Sequence, residues 1–410
     1  MDNRDILIVG AGIAGTTLAY WLEQYGFRIT VVERAPTMRS GGHFVDVRGT
    51  GREVIDRMGV TERVRAACLG TRDMSFVDAR GKPVANLTSA AFGPSGGPVA
   101  EWSLRRTELV SVLHDAVRSD VEVVFDDAVT GLCDDVDGVT VTFAKGGSRR
   151  FDVLVGADGV HSSVREMLFG PEARWIRDLD AFIALLSVDL DVDLGGQQLM
   201  HTVPGGSGRS GRTAGLRPLP EPGRALAGFF FRAPQLRVGR RDIAAQRRVV
   251  AETFGDVAWH VPAIVPQIPD ASDFYFDRVE QVHLDTWSRG RTALLGDAAF
   301  CASPMSGIGT SLALVGAYVL AGELLAADGD HHSAFAAYED RMRPFVDRAQ
   351  RFARTAGDGG LMPRSPAQMW LRNQMIKATP YVPKALMGRG LEQIADTVSI
   401  ADCPHAQRRS

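Results

Sequence analysis

The sequence predicts an α/β protein in which a parallel-sheet unit is interrupted by a mostly antiparallel sheet and followed by C-terminal helices. Three observations predict it. Residues Asp5 to Glu33 read as strand, Gly-rich turn, helix and strand within about 30 residues, which implies parallel pairing with a right-handed crossover. Strand-like runs joined by Gly- and Pro-rich turns dominate from about Ala181 to Trp287. An apolar strand ending in Gly-Asp, Thr292 to Asp297, then returns to the first pattern, so the second unit is inserted between two parts of the first.

Each element has its own signal. DILIV (5–9) is a short apolar run ending at a glycine. Ile13, Thr17, Leu18, Trp21 and Leu22 recur at helical spacing, and Gly26 closes that helix. RITVVE (28–33) is the second strand. A Gly41-Gly42 loop leads to an amphipathic helix near Thr50 to Met58, and Leu109, Val112, Leu113 and Val117 share the face of another. Val121 to Phe125 and Val139 to Phe143 alternate as strands around an Asp137-Gly138 turn. Phe151 to Val155 reads as a buried parallel strand. In the second region 182–192, 199–203, 225–231 and 274–284 read as strands, with turns such as Pro204-Gly205-Gly206 and one helix near Ile243 to Phe254. Helices rich in Arg and Ala follow from Ser333. The expected division is a composite nucleotide-binding domain at 1–180 and 288–355, with a small β excursion near 70–105. A substrate sheet domain at 181–287 and a helical segment at 356–410 complete it.

The 410 residues are 45% hydrophobic and 23% charged, which excludes disordered, collagen-like and fibrous classes. Lys plus Arg number 46 against 49 Asp plus Glu, so neither nucleic acid nor a membrane surface is indicated as a partner. Cys68, Cys133, Cys301 and Cys403 are far apart and form no CxxC pair; no disulfide framework or metal site is expected, and a cytoplasmic location fits best. The start, MDNRDILIVG, carries no secretion signal. The uncharged stretch Ala298 to Gly322 is long enough to imitate a membrane span. Pro304 and several glycines break it, however, and a loop followed by a buried helix is expected.

Three motifs carry chemistry. Gly10-Ala11-Gly12-Ile13-Ala14-Gly15 joins the first strand to the first helix. Gly10 permits a tight turn, Gly12 lets backbone approach a pyrophosphate, and Gly15 lets the helix pack on the sheet. The helix N-terminus offers N–H groups and partial positive charge to that anion. Glu33 is placed for a ribose hydroxyl pair, and its charge disfavours a 2′-phosphate there, so the site suits FAD or NAD better than NADP. Arg34 either touches the ribose–pyrophosphate side or is solvated. The second motif is GADGVHSSVR (156–165), directly after FDVLV. The third, Gly296-Asp297-Ala298-Ala299-Phe300, leads through Pro304 to Gly307-Ile308-Gly309-Thr310 at a helix start, where N–H groups can hold developing negative charge.

In this order and spacing the motifs resemble the FAD-dependent aromatic hydroxylases of the p-hydroxybenzoate hydroxylase type. The nearest resemblance is to the tetracycline-inactivating and antibiotic-tailoring monooxygenases, and it spans roughly residues 4–355. It implies a Rossmann-like FAD-binding domain with Gly10, Gly12, Gly15 and Glu33 at the ADP half. Arg106, in the spacing Arg106-x-x-Leu109, would lie near the ribityl and pyrophosphate groups. Asp158 falls in a motif serving FAD and NAD(P)H together, Asp297 at the ribityl region, and Gly307 to Thr310 at the ring's N1–C2 carbonyl edge. The segment 41–49 resembles a loop near the flavin ring. Asp46 is then a candidate near flavin N5 and Arg48 for NADPH or substrate; the alternative is an Asp–Arg pair that orders the loop. Many members have His where Phe300 stands, which removes an acid–base role at that position.

The implied activity is that of an NADPH- or NADH-dependent monooxygenase. Through a flavin C4a-hydroperoxide it would insert one oxygen from O₂ into a phenolic or polycyclic natural product, most simply by hydroxylation. Baeyer–Villiger or epoxidising chemistry on the same scaffold is the alternative, and an FAD-binding protein without oxygenase activity is the alternative outside enzymes. A halogenase is disfavoured because Trp-x-Trp-x-Ile-Pro is not found. The oligomeric state is open, a monomer being compatible. No side chain is identified as a catalytic base. His201, His260 and His283 read as structural, Cys301 as a small buried hydrophobe, and His331-His332 as an exposed turn. Of Phe229, Phe230 and Phe231, strand alternation lets only some face a substrate pocket.

Overall fold

The computed structural model describes residues 4–38, 44–70, 73–88, 100–206, 210–356, 360–382, 394–396 and 398–400. Gly41, Gly42, His43 and Cys403, singled out in the sequence, lie outside the described residues.

A six-stranded sheet runs in the order β17 (Ser288–Arg289), β18 (Thr292–Leu294), β11 (Val153–Gly156), β1 (Asp5–Val9), β2 (Arg28–Glu33) and β7 (Glu122–Phe125). Every neighbouring pair is parallel except β17–β18. β1, α1 (Ile13–Gln24) and β2 form the expected βαβ unit, and the apolar runs of both strands are buried, as parallel strands covered on two faces require. The long apolar helix α5 (Gly309–Ala326) lies in the core against α1, where Tyr318 meets Trp21 edge-on with ring centroids 4.8 Å apart. Among the described residues it alone is long and apolar enough to cross a membrane, and 78% of it is buried inside the protein.

A hairpin does form around Asp137-Gly138, but its strands are β8 (Val129–Asp135) and β9 (Gly138–Phe143), with β10 (Ser148–Phe151) beyond. Glu122–Phe125 instead completes the central sheet. The alternation of 121–125 made it look like the hairpin partner, whereas VTGLCDD holds a glycine at a register shift and ends in two aspartates.

The second sheet has seven strands, in the order β16 (Tyr275–Val282), β12 (Ile176–Asp189), β15 (Arg224–Arg232), β14 (Arg212–Pro218), β13 (Gln198–Val203), β4 (Met74–Val77) and β5 (Pro83–Leu87). Only β13–β4 is parallel. The sheet reaches past 181–287: β12 begins at Ile176, and the excursion near 70–105 supplies β4 and β5. β3 (Phe44–Val47) and β6 (Trp102–Arg105) form a separate ribbon. Strand alternation gives the large sheet two faces. Phe182, Ala184, Leu216, Ala227, Phe229 and Phe231 pack against Val250 and Phe254 of α4 (Ile243–Phe254). Ile183, Leu185, Gly215, Arg217, Gly228 and Phe230 point the other way, into a cavity shared with the glycine motifs. Phe230 is thus the one of the three consecutive phenylalanines that reaches the cavity.

Candidate active site

β1 ends at Val9 and the chain turns at Gly10, whose φ is 108°. A Cβ there would stand 2.6 Å from the Ala157 carbonyl oxygen just beyond β11, so only glycine fits. Gly10 N donates to Val32 O at 2.7 Å and Ala157 N to Val9 O at 2.8 Å. The ends of three parallel strands therefore meet where the strand order reverses, the place where open α/β sheets bind ligands. A Cβ on Gly15 would collide with Gly10 O, whereas one on Gly12 would meet only Arg106 Nη2, 3.3 Å away at the start of α2 (Arg106–Ala116). No side chain caps α1 and no acidic residue stands in its first turn. Its leading N–H groups are therefore available to an anion beside Arg106. Glu33 accepts from Ala11 N at 3.0 Å and Ala35 N at 2.9 Å, holding the glycine turn from below.

A cavity of about 680 Å³ lies between this turn and the open face of the large sheet. Gly12, Ile13, Ala14, Arg106, Asp297, Gly307, Gly309 and Thr310 all line it, and so do Asp46 and Arg48. Gly10, Ala11, Gly15, Glu33, Asp158 and Ile308 do not line it, and Arg34 is exposed outside it. Asp158 serves the second motif locally. Its Oδ2 accepts from Ser163 N at 2.7 Å, Ser163 Oγ at 2.9 Å and Val164 N at 3.3 Å, at the start of α3 (Ser163–Phe169). Gly159 and Val160 of that motif do reach the cavity. Fully buried Arg165 donates to Val160 O at 2.6 Å and Ala298 O at 3.0 Å, tying the second motif to the third.

Arg48 is buried and held by hydrogen bonds. Nη2 donates to Asp46 at 2.7 Å, Nε to Gly307 O at 3.1 Å, and its backbone N to Ser311 Oγ at 2.9 Å. The Asp46–Arg48 pair thus orders its segment and lines the cavity at once, pinning the left-handed Gly307 ahead of α5. No side chain caps α5 either. Asp297 lines the cavity and is surrounded by protein. That enclosure raises its carboxyl above the usual range, the Cys301 thiol and Arg106 opposing and Asp277 adding. Phe300 packs away from the cavity against Trp287, centroids 4.7 Å apart, so the missing histidine takes nothing from the lining. His201 bonds Val77 O at 3.1 Å and His283 bonds Gln281 at 3.0 Å; neither they nor His260 line this cavity.

The structure adds residues that the sequence did not single out. Arg217 is 8% exposed and lines the cavity with Nε and Nη2 unpartnered among the described residues; Nη1 donates to Ser103 Oγ at 2.9 Å. Burial lowers its pKa, with nearby Asp46 opposing. Tyr275 donates to Asp277 Oδ2 at 2.8 Å, and burial, reinforced by Asp277, pushes the phenol well up. Glu280 is pushed up to about 7 by burial, Arg240 opposing. The available signal was polar residues at alternate positions of otherwise apolar strands, such as Tyr275 and Asp277 or the arginine in GLRP. Two uncapped helix starts, Arg106 and an enclosed carboxylate beside them are a donor set that suits a dinucleotide bearing a pyrophosphate and a planar ring.

Residues 3–353 match the FAD binding domain family. A flavin-dependent monooxygenase from an unknown prokaryotic organism is 35% identical, covering 91% of this chain and 95% of its own. An uncharacterised protein of Mycobacterium tuberculosis is 40% identical over 85% of this chain and 92% of its own. The crystal structure of tetracycline destructase Tet(55) aligns with a TM-score of 0.81 at 31% identity, covering 98% of this chain and 99% of that one. The chain belongs to this FAD-binding family and is an FAD-dependent monooxygenase, an enzyme that uses O₂ and a small-molecule substrate.

Proposed function

We propose that this enzyme takes electrons from NADPH or NADH and hydroxylates a phenolic or polycyclic natural product. One observation carries the reading: a single cavity joins the glycine motifs to a sheet face that is largely apolar but holds the unsatisfied guanidinium of Arg217. An electron-rich aromatic with an acidic oxygen suits such a wall, because the oxygen satisfies Arg217 and the rings cover Phe230 and Leu185. The target named for Tet(55), tetracycline, is a polycycle of that chemistry.

FAD, when bound and reduced, supplies the activation of O₂ and the transfer of one oxygen atom. The chain's residues do the rest. The N–H groups at Gly12 to Ala14 would hold the pyrophosphate together with Arg106, and Glu33, through Ala11 N, keeps the turn in shape for a ribose. Asp297 would hold the ribityl side. N–H groups at Gly309 and Thr310 would hold the carbonyl edge of the ring and favour the negative charge of the reduced state. Arg48 fixes Gly307 in that arrangement, and Asp46 and Arg48 together stand where nicotinamide or substrate approaches. The large sheet acts as the substrate-binding unit and its apolar face keeps water out.

Anaerobic mixing of the FAD-loaded enzyme with NADPH, with and without tetracycline and simpler phenolic polyketides, tests the reading. Flavin reduction should accelerate with a compound that fits, and admission of O₂ should yield that compound heavier by one oxygen. Flavin that neither NADPH nor NADH reduces, whatever the added compound, contradicts it.

A further inference from the structure

Arg372 enters the same cavity wall from α7 (Pro366–Ala378), far along the chain from every motif. It is 9% exposed, and its guanidinium carbon lies 3.9 Å from the ring centroid of Phe76 on β4. Nη1 donates to Thr202 Oγ1 at 3.2 Å and Gly360 O at 2.8 Å; Nε and Nη2 donate to Asn373 Oδ1 at 3.1 and 2.9 Å. Every acceptor is neutral. A guanidinium has five N–H donors, so one Nη2–H remains beyond these four bonds.

Burial lowers the Arg372 pKa to about 10, and no charged group among the described residues shifts it further. The side chain therefore stays cationic at neutral pH, with no carboxylate partner among the described residues. A buried charge lacking its counter-ion is strongly unfavourable. Among the described residues, dipoles and one aromatic ring offset it, and the residue lines the cavity.

Its place relative to Arg217 defines a length. Thr202 pairs with Thr213, four residues before Arg217 on β14. At about 3.3 Å per residue, the Thr202–Thr213 pair that the Arg372 guanidinium meets lies roughly 13 Å along the strands from the backbone of Arg217. Three fused six-membered rings with a hydrogen bond at each end span a comparable distance. Leu361, Met200, Gly215 and Gly228 line the cavity with them.

We propose that Arg372 determines specificity by binding an ionised carboxylate of the substrate, at the opposite end of a polycyclic framework from the oxygen held by Arg217. The proposal rests on the oxygenase reading and narrows its substrate class to polycyclic acids.

The test uses the FAD-loaded enzyme with anthraquinone-2-carboxylate and anthraquinone-2-carboxamide, which share shape and differ in charge. Calorimetric titration of the parent should show the carboxylate bound about tenfold tighter or more. Arg372→Gln should bring the two constants within about twofold, chiefly by weakening the carboxylate, while Arg372→Lys, which keeps the charge but not the planar fork, should keep part of the preference. Equal binding in the parent overturns the proposal without any variant, so a misfolded Arg372→Gln does not decide the matter. A preference that survives Arg372→Gln but vanishes in Arg217→Gln overturns it too. FAD content and oxygen-dependent NADPH consumption in the same preparations report on the oxygenase reading separately: a parent that keeps both yet treats acid and amide alike overturns the Arg372 assignment alone.

Discussion

Gly12 and Gly15 stand three residues apart, and the structure separates what each is for. A Cβ on Gly15 collides with Gly10 O, whereas Gly12 has only the flexible end of Arg106 nearby. Gly12→Val should therefore fold with a near-parental melting temperature yet retain no FAD, read as flavin absorbance per protein, while Gly15→Val should not reach the folded state. Stoichiometric flavin in Gly12→Val would remove the pyrophosphate assignment. Arg217 gives the complementary case, a buried cation with two unsatisfied nitrogens. Arg217→Met should stabilise the ligand-free protein by about 1 kcal/mol and raise KM for an acidic aromatic substrate severalfold. An unchanged KM would show that the guanidinium does not meet the substrate.

At the scale of elements, two glutamines clasp the strand before the third motif to the loop after it. Gln281 of β16 donates to Ala302 O at 3.2 Å and Gln350 O at 2.8 Å; Gln350 of α6 (His331–Ala356) donates to Val282 O at 2.7 Å and Cys301 O at 3.3 Å. Gln350→Leu removes the donor to the buried Val282 carbonyl, while Cys301 O keeps Val282 N, and chemical denaturation should show a loss of about 2 kcal/mol together with weaker FAD retention. β16 also carries a pH signature. Glu280 titrates near 7 in the folded chain against 4.5 for an ordinary glutamate, so the folded state binds the extra proton between those values. Its contribution makes stability fall as pH rises from about 4.5 to 7 and level off above. Glu280→Gln should raise the melting temperature at pH 8 and leave it unchanged at pH 4; the same shift at both would point to packing instead. What the sequence made legible follows the same division. The turn at Gly10 to Gly15 with Glu33 beneath it and the helix start at Gly307 to Thr310 were readable as structure because each signal is local to one turn or helix start. β8 was not, since a glycine and two aspartates mask its alternation. Arg217, Tyr275 and Arg372 were invisible as a group, because only the pairing order of β16, β14 and β13 and the placing of α7 bring them to one wall.

On the scale of the whole molecule, the account rests on one cavity with two unlike walls. Parallel strands and uncapped helix starts build one wall, and an antiparallel face with isolated polar residues builds the other. Neither sheet alone encloses it. The apolar α5, which by composition could span a bilayer, is the packed floor on which the third motif rests. The measurement that reaches the central claim most directly is mass spectrometry of the product formed under isotopically labelled O₂, using FAD-loaded enzyme, NADPH and a panel of polycyclic phenols and acids. The account predicts one labelled oxygen per molecule of product, matched by one NADPH consumed, and no product from Gly12→Val. NADPH oxidation whose labelled oxygen is recovered only as hydrogen peroxide across the whole panel would contradict it.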